Sequence, residues 1–257
     1  MRSKSIIAPI LALVMSAESS LAAVTCSVLT QGSSTTNGDT YNTDSVTPSS
    51  NALVLVASVQ TRNAVTACTD NDVANVTGNS LTYVNIARQC FSDAGTPTQT
   101  VELWRSMGVS PSTGAVTLVT SGVAQLNMAW AVIECTGADT SGTNGSGAIV
   151  QNAINLTEPG TSLTVTLGAF GSAGNATLGV FGLADNLAIT EGSGFTELAE
   201  QQVSDGGTDT TLQAQWRSDN DTSVDASWTS IDAGGIAIEI KAAAASADTL
   251  GDVLWFH

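Results

Sequence analysis

Acid-base chemistry in this chain falls to carboxylates, because its one histidine is the last residue, His257. A Ser-His-Asp or Cys-His mechanism holds an imidazole rigidly beside its nucleophile, and a chain terminus gives no such support. Glu102, Glu134 and Glu239 are the carboxylates that fall within strand-like segments. Glu134 keeps phase with Leu126, Met128, Trp130 and Val132, which aims it at an apolar interior where desolvation would raise its pKa. In the competing reading the strand ends or bulges there, and Glu134 meets solvent or an arginine such as Arg105. Glu239 is out of phase with Ile236, Ile238 and Ile240 and reads as solvent-facing. A glycosidase would set two carboxyl groups about 5 to 9.5 Å apart across the scissile bond, and Glu134 with Glu102 is the pair on offer. The chain has no phosphate-cradling glycine loop, no His-Glu-x-x-His helix and no Gly-x-Ser-x-Gly elbow.

Binding chemistry has four further candidates. Asp70-Asn71-Asp72 and Asp219-Asn220-Asp221 cluster hard oxygen ligands in turns, so calcium is the ion they would suit; no other cofactor is indicated. Both lack the glycine and terminal glutamate of an EF-hand loop, and Asx-rich turns also form without metal. Trp104 is out of phase with Val101 and Leu103, the placement a sugar-stacking indole would take on the polar side of a strand. Lys241 is the only lysine beyond the N-terminal segment and offers itself for a Lys-Asn cross-link. Cys26, Cys68, Cys90 and Cys135 are an even set outside any zinc spacing, which favours two disulfides. Three connectivities exist; Cys68 with Cys90 and Cys26 with Cys135 is the preferred one.

Short segments that alternate apolar and polar residues must position these groups. Leu163 to Leu167, Leu212 to Trp216, Val224 to Trp228 and Ile236 to Ile240 have the period of half-buried strands, and Ala52 to Ala57 reads as a strand buried on both faces. Further strands are expected at Leu81 to Ala87, Thr100 to Met107, Ala115 to Thr120, Leu126 to Cys135 and Thr177 to Leu183. Ser218 to Asp221 resembles a hairpin turn. Ala148 to Asn155 reads as a turn or two of helix, and Leu198 to Val203 is ambiguous. Strands and turns at this spacing predict an all-β, antiparallel β-sandwich, jelly-roll-like or Ig-like, as a single domain.

The N-terminal segment 1–22 has the layout of a secretory signal peptide, with Arg2 and Lys4, an apolar run from Ile6 to Met15, and Ser20-Leu21-Ala22. Pro9 and Ser16 interrupt it short of the roughly 18 apolar residues of a membrane span. Residues 23–51 read as a first strand and a polar linker or loop, 52–242 as the sandwich, and 243–257 as an Ala-rich spacer and apolar tail. Leu254, Trp255 and Phe256 in that tail should dock, either on their own domain or on a neighbouring subunit or surface component. A net charge of −16 repels nucleic acid and anionic membranes.

The segments LVLVASVQ (Leu53 to Gln60), LTYVNIARQ (Leu81 to Gln89), VELWRSM (Val101 to Met107), AWAVIECTGADTSG (Ala129 to Gly142), GSGFTEL (Gly192 to Leu198) and GIAIEIKA (Gly235 to Ala242) resemble, in their order, β-sandwich domains of exported bacterial and phage tail-associated proteins. The resemblance implies a structural or surface-recognition module without catalytic residues. The apparent leader and paired cysteines depart from the phage-associated members and favour a secreted or cell-surface protein. The expectation is therefore a non-enzymatic secreted or cell-surface structural or adhesion module, with self-association as one mode of assembly, a carbohydrate-binding domain for a surface glycan as alternative and a carboxylate-dependent hydrolase third.

Overall fold

The computed structural model describes residues 23–62, 72–91, 99–205 and 208–244. Along them the strands are β1 Thr25–Ser34, β2 Thr40–Val46, β3 Leu53–Thr61, β4 Val73–Gly78, β5 Leu81–Thr82, β6 Val84–Phe91, β7 Gln99–Ser106 and β8 Gly114–Thr120. They continue with β9 Asn127–Thr136, β10 Ile149–Thr166, β11 Ala176–Leu183, β12 Thr190–Glu191, β13 Thr196–Val203, β14 Thr210–Arg217 and β15 Ser223–Ile240. Every pairing among them is antiparallel, so the chain is the expected antiparallel β-sandwich.

The central sheet runs β1-β9-β3-β7-β6, and a second sheet, β10-β15-β11-β14-β13, packs on one of its faces. Period two explains the layering. Leu53, Leu55, Ala57 and Val59 on β3, with Val101 and Leu103 on β7, meet Leu178, Val180, Ile236 and Ile238 between these sheets. The alternate residues Val54 and Val56, with Trp104, Met128, Trp130 and Val132, point the opposite way and pack under a third sheet, β2-β8-β4-β5, against Tyr41, Val76, Val116 and Leu118. The central sheet is thus buried on both faces, and β3 has no exposed residue along its length.

A fourth layer comes from the ribbon of β10 and β15. Its register shifts between Thr157 and Ser162, and beyond that point Leu163, Val165, Val224 and Trp228 lie over the outer face of the second sheet, on Phe181 and Ala237. Two adjacent glycines make room on opposite faces. A Cβ on Gly234 would stand 2.5 Å from Phe91 in the inner core, and one on Gly235 2.9 Å from Val165 in the outer one.

Three readings of local structure are corrected and one ambiguity is resolved. The polar stretch from Gln31 to Asn51 contains the end of β1 and all of β2, because Tyr41 and Val46 supply enough apolar surface to anchor it. The stretch read as helix from Ala148 to Asn155 is strand from Ile149 on: Ile149, Val150 and Ile154 are β-branched, and β15 offers a pairing edge. A single 3-10 turn, Ser146–Ala148, precedes it. Ser218 to Asp221 is no hairpin, since β14 and β15 lie on opposite sides of β11. The ambiguous stretch from Leu198 belongs to β13.

Candidate functional site

Glu102 lies at the centre of the buried chemistry. It sits on β7 between the central and third sheets, is fully buried, and takes four donors. Gln60 Nε2 at 2.8 Å and the Val73 backbone N–H at 2.7 Å reach Oε1; Asn85 Nδ2 and the Trp104 indole N–H, both at 3.1 Å, reach Oε2. Arg88 pairs with Glu102 in strand register and forms an ion pair with Asp72. Burial pushes the Glu102 carboxyl up to about 7, against the opposing pull of the Val73 N–H, Arg88 and the indole.

This arrangement corrects the placement of Trp104. The indole is 7 % exposed and belongs to the core, because a sheet covered on both faces has no solvent side for an out-of-phase residue to occupy. Asp72 meets Arg88, and both Asp219 and Asp221 meet Arg217. The second acidic turn is therefore an arginine clamp, capped by the Phe195 ring 5.4 Å from the guanidinium. Asp219 and Asp221, the oxygens that would suit calcium, are thus engaged by Arg217. Among the described residues no three His, Cys, Asp or Glu side chains are grouped to hold a metal ion.

Glu134 is not sealed in the apolar interior, but neither does its strand break there, since β9 pairs through it to Thr136. It is half-buried at the end of β9, where the carboxylate accepts the Ser49 backbone N–H at 2.8 Å and the Ser49 hydroxyl at 3.2 Å. Arg105 turns elsewhere, to the carbonyls of Thr143 and Asn144. Glu102 pairs across from Ser58 and Glu134 across from Val54, on strands that flank β3. Four residues along and two strands across put their backbones roughly 16 Å apart, well beyond a glycosidase pair.

Glu239 is the largest departure from expectation, being fully buried instead of solvent-facing. Gln151 Nε2 at 2.6 Å and Asn175 Nδ2 at 2.5 Å donate to its carboxylate. Gln151 also exchanges two hydrogen bonds with the Gly168 backbone, which draws the segment after β10 over this face. Lys241 pairs with Asp139 at 2.5 Å and not with an asparagine. Hydrogen bonds from Lys241 and Ser141 bring the Asp139 carboxyl down to about 2. Asn175, the nearest amide in that pocket, is engaged by Glu239 and by the Ala242 N–H.

Cys26 and Cys135 form the expected disulfide, directly opposite each other in the β1/β9 register with Cα atoms 4.0 Å apart. Cys90 is disulfide-bonded as well; Cys68, Asp70 and the tail residues Leu254, Trp255 and Phe256 lie outside the described residues.

Two features escaped the sequence reading. One is an open pocket of about 460 Å³ whose walls include Ser33, Thr36, Thr40, Asn42, Tyr41 and Trp130; the Trp130 indole nitrogen has no partner among the described residues. The other is the outer edge of β10, where Val150, Ile154 and Leu156 are 48 %, 50 % and 39 % exposed. Ile154 and Leu156 two residues apart, in a segment free of charge, were the available signal, hidden by the helical reading. No helix among the described residues is long and apolar enough to cross a membrane. No protein-family model matches the chain, and comparison with curated proteins and with solved structures finds no match.

Proposed function

We propose that this chain is a non-catalytic structural or adhesion module working outside the cytoplasm. The observation that carries this reading is the fate of its carboxylates: Glu102 and Glu239 are sealed inside the layers with their oxygens fully engaged. A general acid or base has to reach substrate. The disulfide-bonded cysteines support an oxidising compartment. The test is protease treatment of intact source cells together with a polysaccharide panel. The chain is expected to be lost from the outside, with no turnover; turnover abolished in Glu134→Gln or Glu102→Gln overturns the reading.

Glycan binding is a second reading, favoured by the hydroxyl-lined pocket beside Trp130. Serine, threonine and asparagine can both give and accept hydrogen bonds to a neutral sugar, which the acidic surface would not repel. A glycan array should then show binding that Asn42→Ala and Thr40→Ala reduce; signal unchanged by both removes this reading.

A further inference from the structure

We infer that the edge of β10 is a self-association surface, on which a second copy of this chain adds its own β10 in antiparallel register. The inference rests on the structural-module reading and names the partner such a module would take. Strand β10 ends its sheet and pairs only with β15 among the described residues. From Gln151 to Thr157 that pairing is unbroken, leaving a straight row of outward N–H and C=O groups.

The other sheet-ending strands of the two large sheets are guarded. The register shifts at Val28/Thr30 on β1, at Asn85/Ala87 on β6 and at Glu197/Ala199 on β13. β6 also carries Arg88, and β13 carries Glu197 and Glu200. Bulges and charges of this kind keep edges from pairing. On β10 the comparable devices stand to either side of the run from Gln151 to Thr157: a register shift at Ile149/Gln151 before it, and Glu158, Pro159 and two further shifts beyond it. Between Ile149 and Thr157 there is no charge and no proline.

Side chains along this stretch point the same way. Asn152 pairs with Ile238, Ile154 with Ile236 and Leu156 with Gly234, so the even positions face the side of the sheet that carries the inner core. Val150, Ile154 and Leu156 are three of the five large apolar side chains that stand exposed among the described residues. Ile154 and Leu156 therefore stand together on one face beside the free edge, where a paired strand would cover them, while Val150 lies at the register shift that precedes them.

Charge selects the occupant. Two chains of net charge −16 repel one another, and close approach costs least where both present an uncharged strip. A second β10 is uncharged from Ile149 to Thr157, carries Ile154 and Leu156 at the same positions and is self-complementary about a two-fold axis.

Sedimentation equilibrium of the purified protein, over a range of concentration and NaCl, tests this. The expected result is a dimer whose Kd tightens with salt, as screening weakens the repulsion. Ile154→Glu should weaken it by about tenfold or more, while Thr161→Glu, the same charge beyond the bend, should leave it near the Thr161 wild type once salt is high. Ile154 is half exposed, so the variant folds; amide exchange in wild type should also slow at 151–157 as concentration rises. A monomer throughout, a dimer indifferent to Ile154→Glu, or one abolished only by deleting residues 245–257 overturns the inference. A monomer would leave the module reading standing, since that is tested by surface exposure and turnover.

Discussion

Glu102 shows how a carboxylate can be chemically unusual without being a site. Its folded pKa, about 7, lies above the ordinary 4.5, so the native state keeps a proton that the unfolded chain has lost. Stability therefore falls as pH rises from about 4.5 to about 7 and then levels. Urea melts at pH 5 and pH 8 should show that slope in the wild type and lose its Glu102 component in Glu102→Gln. The variant should also be less stable overall by about 1–3 kcal/mol, because an amide nitrogen would face two of the four donors. Asp139 behaves oppositely. Its pKa of about 2 lies below the ordinary 3.8, so its contribution is present above 3.8 and lost as pH falls through 2. In Lys241→Met the acid unfolding limb should move to higher pH, read by circular dichroism. Neither residue's environment was legible in the sequence: Glu102 reads as a strand carboxylate, and its donors come from β3, β6, β7 and the start of β4.

Elements in this protein are held by close approach between layers. Gly234→Ala would drive a methyl against Phe91, a ring fully enclosed in the inner core, while Gly235→Ala would meet Val165, Leu163 and Phe181 at 2.9–3.0 Å. Overpacking of this kind costs about 1–3 kcal/mol. Thermal unfolding should show the larger loss for Gly234→Ala, whose contact is tighter. The Cys26–Cys135 disulfide ties β1, at the sheet edge, to β9 and closes a separation of 109 residues. The chain-entropy estimate for such a loop is about 4–5 kcal/mol, so Cys26→Ala/Cys135→Ala should unfold at markedly lower urea. The strand period located β3, β7, β9, β11 and β14 in the sequence, but it could not show that β10 and β15 each run 18 residues through a bend. Bends at bulges leave the alternation on both sides intact, and so two strands and one continuous strand look alike.

At the scale of the whole molecule, four layers and three cores distribute the apolar residues so fully that few large apolar side chains stand exposed among the described residues. What remains is concentrated on β10, which is why oligomer size is the informative property to measure and why salt should favour the larger species. The second open feature, the pocket beside Trp130, depends on β2 folding back over the central sheet. A Tyr41→Phe variant tests that link. The hydroxyl lies within 3.0–3.1 Å of the carbonyls of Thr36, Gly38 and Gln125, so its loss should destabilise by about 1 kcal/mol and reduce any glycan signal assigned to the pocket.

By itself the sequence determined the all-β antiparallel class and most strand positions, because period-two alternation and turn residues are local properties. It also indicated the Cys26–Cys135 pairing and removed imidazole chemistry. Only the tertiary structure decided which faces meet water. Alternation assigns residues to two faces of a strand but cannot say whether either is covered; here the central sheet is covered on both, and in the second sheet Gln151 and Asn175 close over Glu239. That is why Trp104 and Glu102 are interior, why Glu239 is buried, and why an unguarded edge lies in a segment with a helical look.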